Sequence, residues 1–274
     1  MPNYYSQHGE DILLDHIFQG CTKGLFVEVG CIDGVRFSNT LTFEERGWKG
    51  LCVEAHVGFV EALRRNRPGS IVEHCAAGDT DEEEVTFYAN FRGSLSSLDR
   101  TQEGRFRAFG RYFGGFTEQK VRKRRLDTVL AGHGMERFDL LSLDIEGSEE
   151  EAIRGFDLER HRPRVMVIEV DGKRQEAALD RLILRHGYHK WIRLGSNLFY
   201  MGDTSLIDRV RDRLLQGDII RPADEVEGTG AGRIRVTIDT RVPDGGTAGF
   251  EWAPLDSYTP RKGWFARLIG RLQQ

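Results

Sequence analysis

At 274 residues the chain is long enough to bury a large core in one domain and still carry an appendage. A net charge of −4, with 30% charged residues, gives no global field that would argue for nucleic acid or a membrane surface as partner. No apolar run approaches the roughly 20 residues that span a bilayer, and Met1-Pro2-Asn3-Tyr4-Tyr5 lacks the basic-then-apolar pattern of a secretory leader, so the expectation is a soluble, cytoplasmic protein.

Ile12, Leu13, Ile17 and Phe18 share one face of a helix predicted over Asp11 to Phe18. Gly24 to Val29 reads as a strand. Ser38 or Asn39 starts a helix that runs through Arg46 and stops at Gly47. Leu51 to Glu54 is a second strand, Gly58 to Asn66 a helix ended by Pro68, and Ser70 to Ala76 a third strand. Val85 to Tyr88 alternates like a short extra strand. Leu140 to Asp144 is a strand and Glu149 to Arg154 a helix. Arg164 to Val170 is apolar almost throughout, as a strand buried on both faces must be. Glu176 to Arg185 is helical, and His189 to Leu194 with Leu198 to Met201 forms a closing antiparallel pair around Gly195-Ser196-Asn197. The alternation implies an α/β fold: a mostly parallel sheet with helices on both faces. In such sheets ligands sit at the carboxyl ends of the strands, where Glu28, Glu54, Asp79, Asp144 and Glu169 fall. Cys21, Cys31, Cys52 and Cys75 form no C-x-x-C pair and read as free thiols of a reducing compartment.

Two strand ends carry the chemistry of a nucleoside site. Phe26-Val27-Glu28-Val29-Gly30-Cys31-Ile32-Asp33-Gly34 is an apolar run that ends in a glycine turn, and Leu51-Cys52-Val53-Glu54 ends in an acid suited to ribose hydroxyls. A dinucleotide needs glycines where Ile32 and Val35 stand, and Asp33 would repel a pyrophosphate. A cofactor with no phosphate and a cationic centre, such as S-adenosylmethionine, suits the loop better than NAD.

Two segments interrupt the pattern. Residues 90–120 are rich in Gly, Arg, Phe and Ser and read as an acceptor-side insertion; a solvated, poorly ordered loop is the alternative. Lys120 to Arg125 is a basic run, read as a solvated strand edge rather than a nucleic-acid patch. The chain thus divides into a domain over 1–203 and a C-terminal extension over 204–274. The extension contains a strand candidate, Ile234 to Val242, with Phe250-Glu251-Trp252 to pair with it. It ends in a basic amphipathic helix over 263–272 that docks on its own domain, with a membrane surface or a second subunit of a homo-oligomer as the alternatives.

Five motifs then occur in order: Tyr5-Ser6-Gln7-His8-Gly9-Glu10-Asp11, Phe26 to Gly34, Gly47-Trp48-Lys49-Gly50, Leu143-Asp144-Ile145-Glu146-Gly147-Ser148-Glu149, and Arg162-Pro163 before Ile168-Glu169. Together, over about residues 4–202, they resemble the FkbM-type family of SAM-dependent methyltransferases. The resemblance implies the class I methyltransferase fold, Rossmann-like, with a seven-stranded sheet in which one strand is antiparallel. It implies methyl transfer to hydroxyl groups, often on sugars, glycans or glycosylated natural products. His56 departs from the proline that relatives often carry after the ribose acid.

On that reading Glu28, Gly30 and Asp33 line the methionine half of the cofactor, Glu54 takes the ribose hydroxyls, and Asp79, after Ala77 and Gly78, accepts from the adenine amino group. Ser38 and Asn39 cap a helix facing the cofactor. Asp144 and Glu146 lie where the sulfonium methyl would be and orient or deprotonate the acceptor hydroxyl; helix capping is the alternative. Glu169 and Asp171 face the same crevice. A divalent ion, Mg²⁺, shared by Asp144 and Glu169 is a further option, not the favoured one. Gln7 and His8 are placed over the pocket, with His8 as a candidate base. The competing classes are an NAD-dependent oxidoreductase and a non-catalytic interaction module.

Overall fold

The computed structural model describes residues 2–90, 96–98, 116–208, 210, 234–238 and 249–252. The principal sheet contains β1 (Leu25–Val29), β2 (Lys49–Glu54), β3 (Ser70–His74), β7 (Leu140–Leu143), β8 (Val165–Glu169), β9 (His189–Leu194) and β10 (Asn197–Met201). From one edge the order is β3-β2-β1-β7-β8-β10-β9. The first five strands are parallel, and β10 runs antiparallel to both of its neighbours. This is the expected seven-stranded α/β sheet with one reversed strand, the class I methyltransferase fold. The tail candidates pair as anticipated: β11 (Ile234–Ile238) lies against β9 and β12 (Gly249–Trp252) against β11, so among the described residues the sheet has nine strands. The 263–272 helix candidate lies outside the described residues.

Side-chain alternation along the strands divides the core in two. Phe26, Cys52, Leu140, Val165 and Val167 project to one face. There they meet Ile12, Leu13, Leu14 and Ile17 of α1 (Glu10–Ile17), Phe43 of α2 (Leu41–Glu45) and Trp48. Val27, Val29, Leu51, Val53, Leu141, Leu143, Met166 and Ile168 project to the other. They pack on α4 (Leu126–Gly132), α5 (Glu149–Arg154) and α6 (Lys173–Ile183). Each buried Leu, Val or Ile contributes about 1.5–3 kcal/mol, so burial on both faces makes the central strands the rigid part of the molecule. Trp48 locks the first face: its ring meets Phe18 and Phe43 at centroid distances of 5.0 and 4.9 Å, and its Nε1–H donates to the Cys21 carbonyl at 3.0 Å. Cys31, Cys52 and Cys75 are buried free thiols, and Cys21 is exposed.

Two expectations need correction. The third strand does not run to Ala76: it leaves the sheet after His74, and β4 (Ala76–Gly78) joins a second, three-stranded sheet of order β4-β6-β5. That sheet is completed by β5 (Glu82–Asn90) and β6 (Phe116–Arg125). The basic run of 120–125 therefore lies on a central strand, not an edge. Arg122 pairs with Glu73, Lys123 with Asp79 and Glu82, Arg124 with Glu83, and Arg125 with Asp127. Of the insertion, residues 91–95 and 99–115 lie outside the described residues.

Candidate active site

The carboxyl ends of β1, β2, β7 and β8 line up along one rim of the principal sheet. Glu28, on β1, is buried and faces the α1 side. Its oxygens accept from Ser38 Oγ at 3.0 Å, the Asn39 amide at 2.9 Å, Thr40 Oγ1 at 2.8 Å and Arg67 Nη1 at 2.8 Å. Arg67 follows α3 (Val57–Asn66) and is wholly buried. Its Nε also donates to Glu44 at 2.7 Å, and Nη2 to Thr40 Oγ1 at 2.7 Å. The acceptor capacity of Glu28 is thus taken up inside the protein, where it anchors the loop that follows. Asp33 is committed too. It accepts from the amides of Val35 and Arg36 and pairs with Arg36 Nε at 2.7 Å. Although burial opposes it, these bonds hold its carboxyl below the usual range. Ser38 Oγ accepts from the amides of Thr40 and Leu41 at 3.2 and 3.0 Å, which fixes the entry to α2, although the N-cap residue of that helix is Thr40 rather than Ser38 or Asn39. Asn39 donates to Ser142 Oγ on β7 at 3.0 Å, which ties the loop to the central strands.

Gly30 is the pivot of the rim. Its φ is +87°, and a Cβ there would lie 1.7 Å from the Asp144 carbonyl oxygen, so only glycine lets the β1 loop pass so close to the β7 end. The loop then rises to Glu54 at the tip of β2. Glu54 accepts from the Ile32 amide and the His56 amide, each at 2.7 Å. Burial lifts its carboxyl to about 7, against the pull of these bonds. The amides of Ala55 and Cys31 also point at this carboxyl, so any ribose hydroxyl would share its oxygens with an amide cradle.

At the other half of the rim Asp144 and Glu169 are hydrogen-bonded to one another. Two carboxyls bond only by sharing a proton. Burial, and then Glu146, pushes Asp144 far above the carboxylate range, against that bond; burial, and then Asp144, does the same to Glu169. The two therefore titrate as one unit that keeps a proton near neutral pH. Glu146 sits in a left-handed turn, φ +57°, followed by Gly147. Glu149 secures that turn: one carboxylate accepts from the amides of Ile145 and Gly147 at 2.9–3.2 Å and from Gln175. The N-cap residue of α5 is Ser148, with no side-chain cap bond, so neither Asp144 nor Glu146 caps that helix, and Glu149, its first residue, braces the preceding turn instead. Burial, then Glu169, raises its carboxyl to about 7. Oxygens of Asp144, Glu149 and Glu169 lie within 4.8 Å of one another, a donor set that a divalent ion could use.

The N-terminal segment closes this half. His8 lies against the β9–β10 turn, where a Cβ on Gly195 would come 2.3 Å from its ring, and Gln7 beside it is partly buried. The His8 amide donates to Glu10 at 2.8 Å, and Asn197 Nδ2 donates to the same carboxylate at 2.7 Å. Glu10 is also among the groups that raise Asp144. The small sheet covers the rim from above. His56 Nδ1 accepts from the Gly58 amide, so Nε2–H faces the Asn90 carbonyl at 3.2 Å. Ser97 Oγ donates to the Glu146 carbonyl at 2.8 Å. Ala77 is buried in β4, paired with Arg124. Asp79 is ion-paired with Lys123 at 3.4 Å on that sheet, and its proposed bond to adenine would have to compete with this cation.

The fold thus gathers Gly30, Glu54, Asp144, Glu146 and Glu169 on one rim, with His8 against the hairpin behind it. Glu28, Ser38 and Asn39 form the floor under the β1 loop, and Ala77 and Asp79 stand on the covering sheet. Arg67 and Glu149 are the additions.

A model of the methyltransferase FkbM domain matches residues 28–190, more than half of the chain. The AMB antimetabolite synthetase AmbE of Pseudomonas aeruginosa is 34% identical over 106 residues, 36% of this chain. The match spans about 5% of the length of that curated relative. An O-methyltransferase from Bacillus cereus in complex with SAH aligns over 73% of this chain and 82% of its own at 14% identity, TM-score 0.40. A ribosomal protein L11 methylase from Lactobacillus delbrueckii aligns over 71% and 77% at 9% identity, TM-score 0.40.

Proposed function

The chain belongs to the methyltransferase FkbM domain family; from that premise we propose that it is a methyltransferase that transfers the methyl group of S-adenosylmethionine to a hydroxyl of a sugar in a glycan, glycolipid or glycosylated natural product. The observation that carries this reading is the Asp144–Glu169 pair, whose carboxylate oxygens lie within 4.8 Å of one another at the ends of adjacent strands, with the β1 strand of the Gly30 loop next to β7.

The residues present suit this cofactor by their chemistry. Glu54 offers a buried carboxylate to a ribose diol, and the rim from Glu54 to Glu169 is acidic, as a sulfonium and an ammonium require. S-adenosylmethionine supplies an electrophilic methyl whose sulfur leaves as a neutral thioether. The Asp144–Glu169 pair accepts a hydrogen bond from the acceptor hydroxyl and takes its proton as the new O–C bond forms. Glu149 keeps the 145–147 turn rigid, so the pair does not have to find its place during the reaction. Ser97 and Asn90 help to exclude water from above.

The test is calorimetric titration with S-adenosylhomocysteine, with NADH in parallel. Micromolar binding of the first and none of the second supports the reading, and methylation of sugar acceptors is then measured with Mg²⁺ and with EDTA. Binding of NADH alone would sink it. Activity that EDTA abolishes and Mg²⁺ restores would favour the second reading, in which Asp144, Glu149 and Glu169 share a divalent ion.

A further inference from the structure

A wholly buried arginine is unusual, and Arg67 is placed where loop geometry depends on it. Its guanidinium contacts five separate points of a single segment: Glu28, the Gly34 carbonyl at 3.3 Å, Ser38 Oγ at 3.1 Å, Thr40 Oγ1 and Glu44. It also lies 5.2 Å from the ring centroid of Phe26, which covers one face of the planar fork. Gly34 has a φ of +81°, and a Cβ there would meet the Arg67 stem at 2.6 Å, so the loop closes directly onto this side chain. Residues 28–44 are in effect wrapped around one cation. Glu54 makes no direct bond to Arg67: it accepts from the Ile32 amide of that segment and from the His56 amide at the end of its own strand.

Resting on the cofactor reading above, we propose that Arg67 is a positioning residue that sets the grip on the methionyl half of S-adenosylmethionine, while Glu54 holds the adenosine half without it. The wall that the methionyl group meets is the 30–40 loop, and the shape of that loop is the shape of the five bonds to Arg67. A lysine keeps the charge but is a point donor. It cannot hold Glu28, Thr40 and Glu44 in one plane.

The experiment compares two ligands on the full chain: S-adenosylhomocysteine, which has the amino-acid tail, and 5′-methylthioadenosine, which lacks it. Arg67→Lys should weaken S-adenosylhomocysteine by about tenfold. It should change 5′-methylthioadenosine by less than about twofold. If the lysine variant does not fold, Thr40→Val removes one of the five contacts without stranding a charge, and the same ratio of affinities decides the matter. Equal weakening of both ligands, or of neither, would overturn the proposal and leave Arg67 a stability element only. Failure of the unaltered chain to bind either ligand would instead overturn the cofactor reading, and this inference with it.

Discussion

At the ends of β1 and β2, Glu28 meets the Arg67 guanidinium and Glu54 meets the amides of Ile32 and His56. At the ends of β7 and β8, Asp144 and Glu169 meet each other, and the groups that weigh most on them besides burial are further carboxyls. The first half spends its acids on holding a loop still. The second keeps its acids in a state that is costly in the empty protein and useful to a reaction that releases a proton. The difference teaches that a carboxylate at a strand end is defined by its partner, not by its position.

The comparison is broken most severely at Arg67. Arg67→Met leaves Glu28 and Glu44 buried without a cation and should cost about 3–5 kcal/mol in denaturant unfolding. A loss under about 1 kcal/mol would show that the first half is not held as described. In the second half, Glu169→Gln should lower the rate of methyl transfer by about 10²-fold or more. It should leave the fold intact, as judged by an unchanged unfolding slope.

Between these stands Glu54. Glu54→Ala should weaken S-adenosylhomocysteine by about 1.5–3 kcal/mol, the range for hydrogen bonds to a charged group. Unchanged affinity would remove the ribose assignment.

The smallest effect sharpens the contrast in pH. Glu54 and Glu149 are raised to about 7, and the Asp144–Glu169 pair is raised as well. A carboxyl raised in the folded state gives stability that is present in full below its unfolded value near 4 and is lost as pH rises through the folded value. The unaltered chain should therefore lose stability between pH 4 and about 8. The double variant Asp144→Asn, Glu169→Gln should lose less, so that it is the more stable of the two at pH 8 by about 1 kcal/mol or more. Thermal melts across that range check it; parallel curves would contradict the raised state of the pair.

Much of this was legible in the chain itself. The strands of the principal sheet are short apolar runs punctuated by glycine or an acid, and physical burial on two faces demands such runs, so β1, β2, β7 and β8 fall within a residue or two of expectation. The break at Cys75 was not legible, because Ser70 to Ala76 contains no turn residue; the chain changes sheets there through pairing with β6, a strand whose start is hidden in the insertion. Glu149 was in view but read as an ordinary first-turn acid. Arg67 was invisible: Arg64-Arg65-Asn66-Arg67-Pro68 has the composition of a solvated helix end. Only the fold brings this side chain to Glu28, 39 residues earlier, and to Glu44, 23 residues earlier.

The division of labour along the rim is tested most directly by titrating S-adenosylhomocysteine into Glu54→Ala and Glu169→Gln side by side with the unaltered chain. The account predicts that the first loses about tenfold or more in affinity. It predicts that the second stays within about twofold of the unaltered chain. Equal losses in the two variants would contradict it, since the acids of β8 would then hold the cofactor rather than wait for the acceptor.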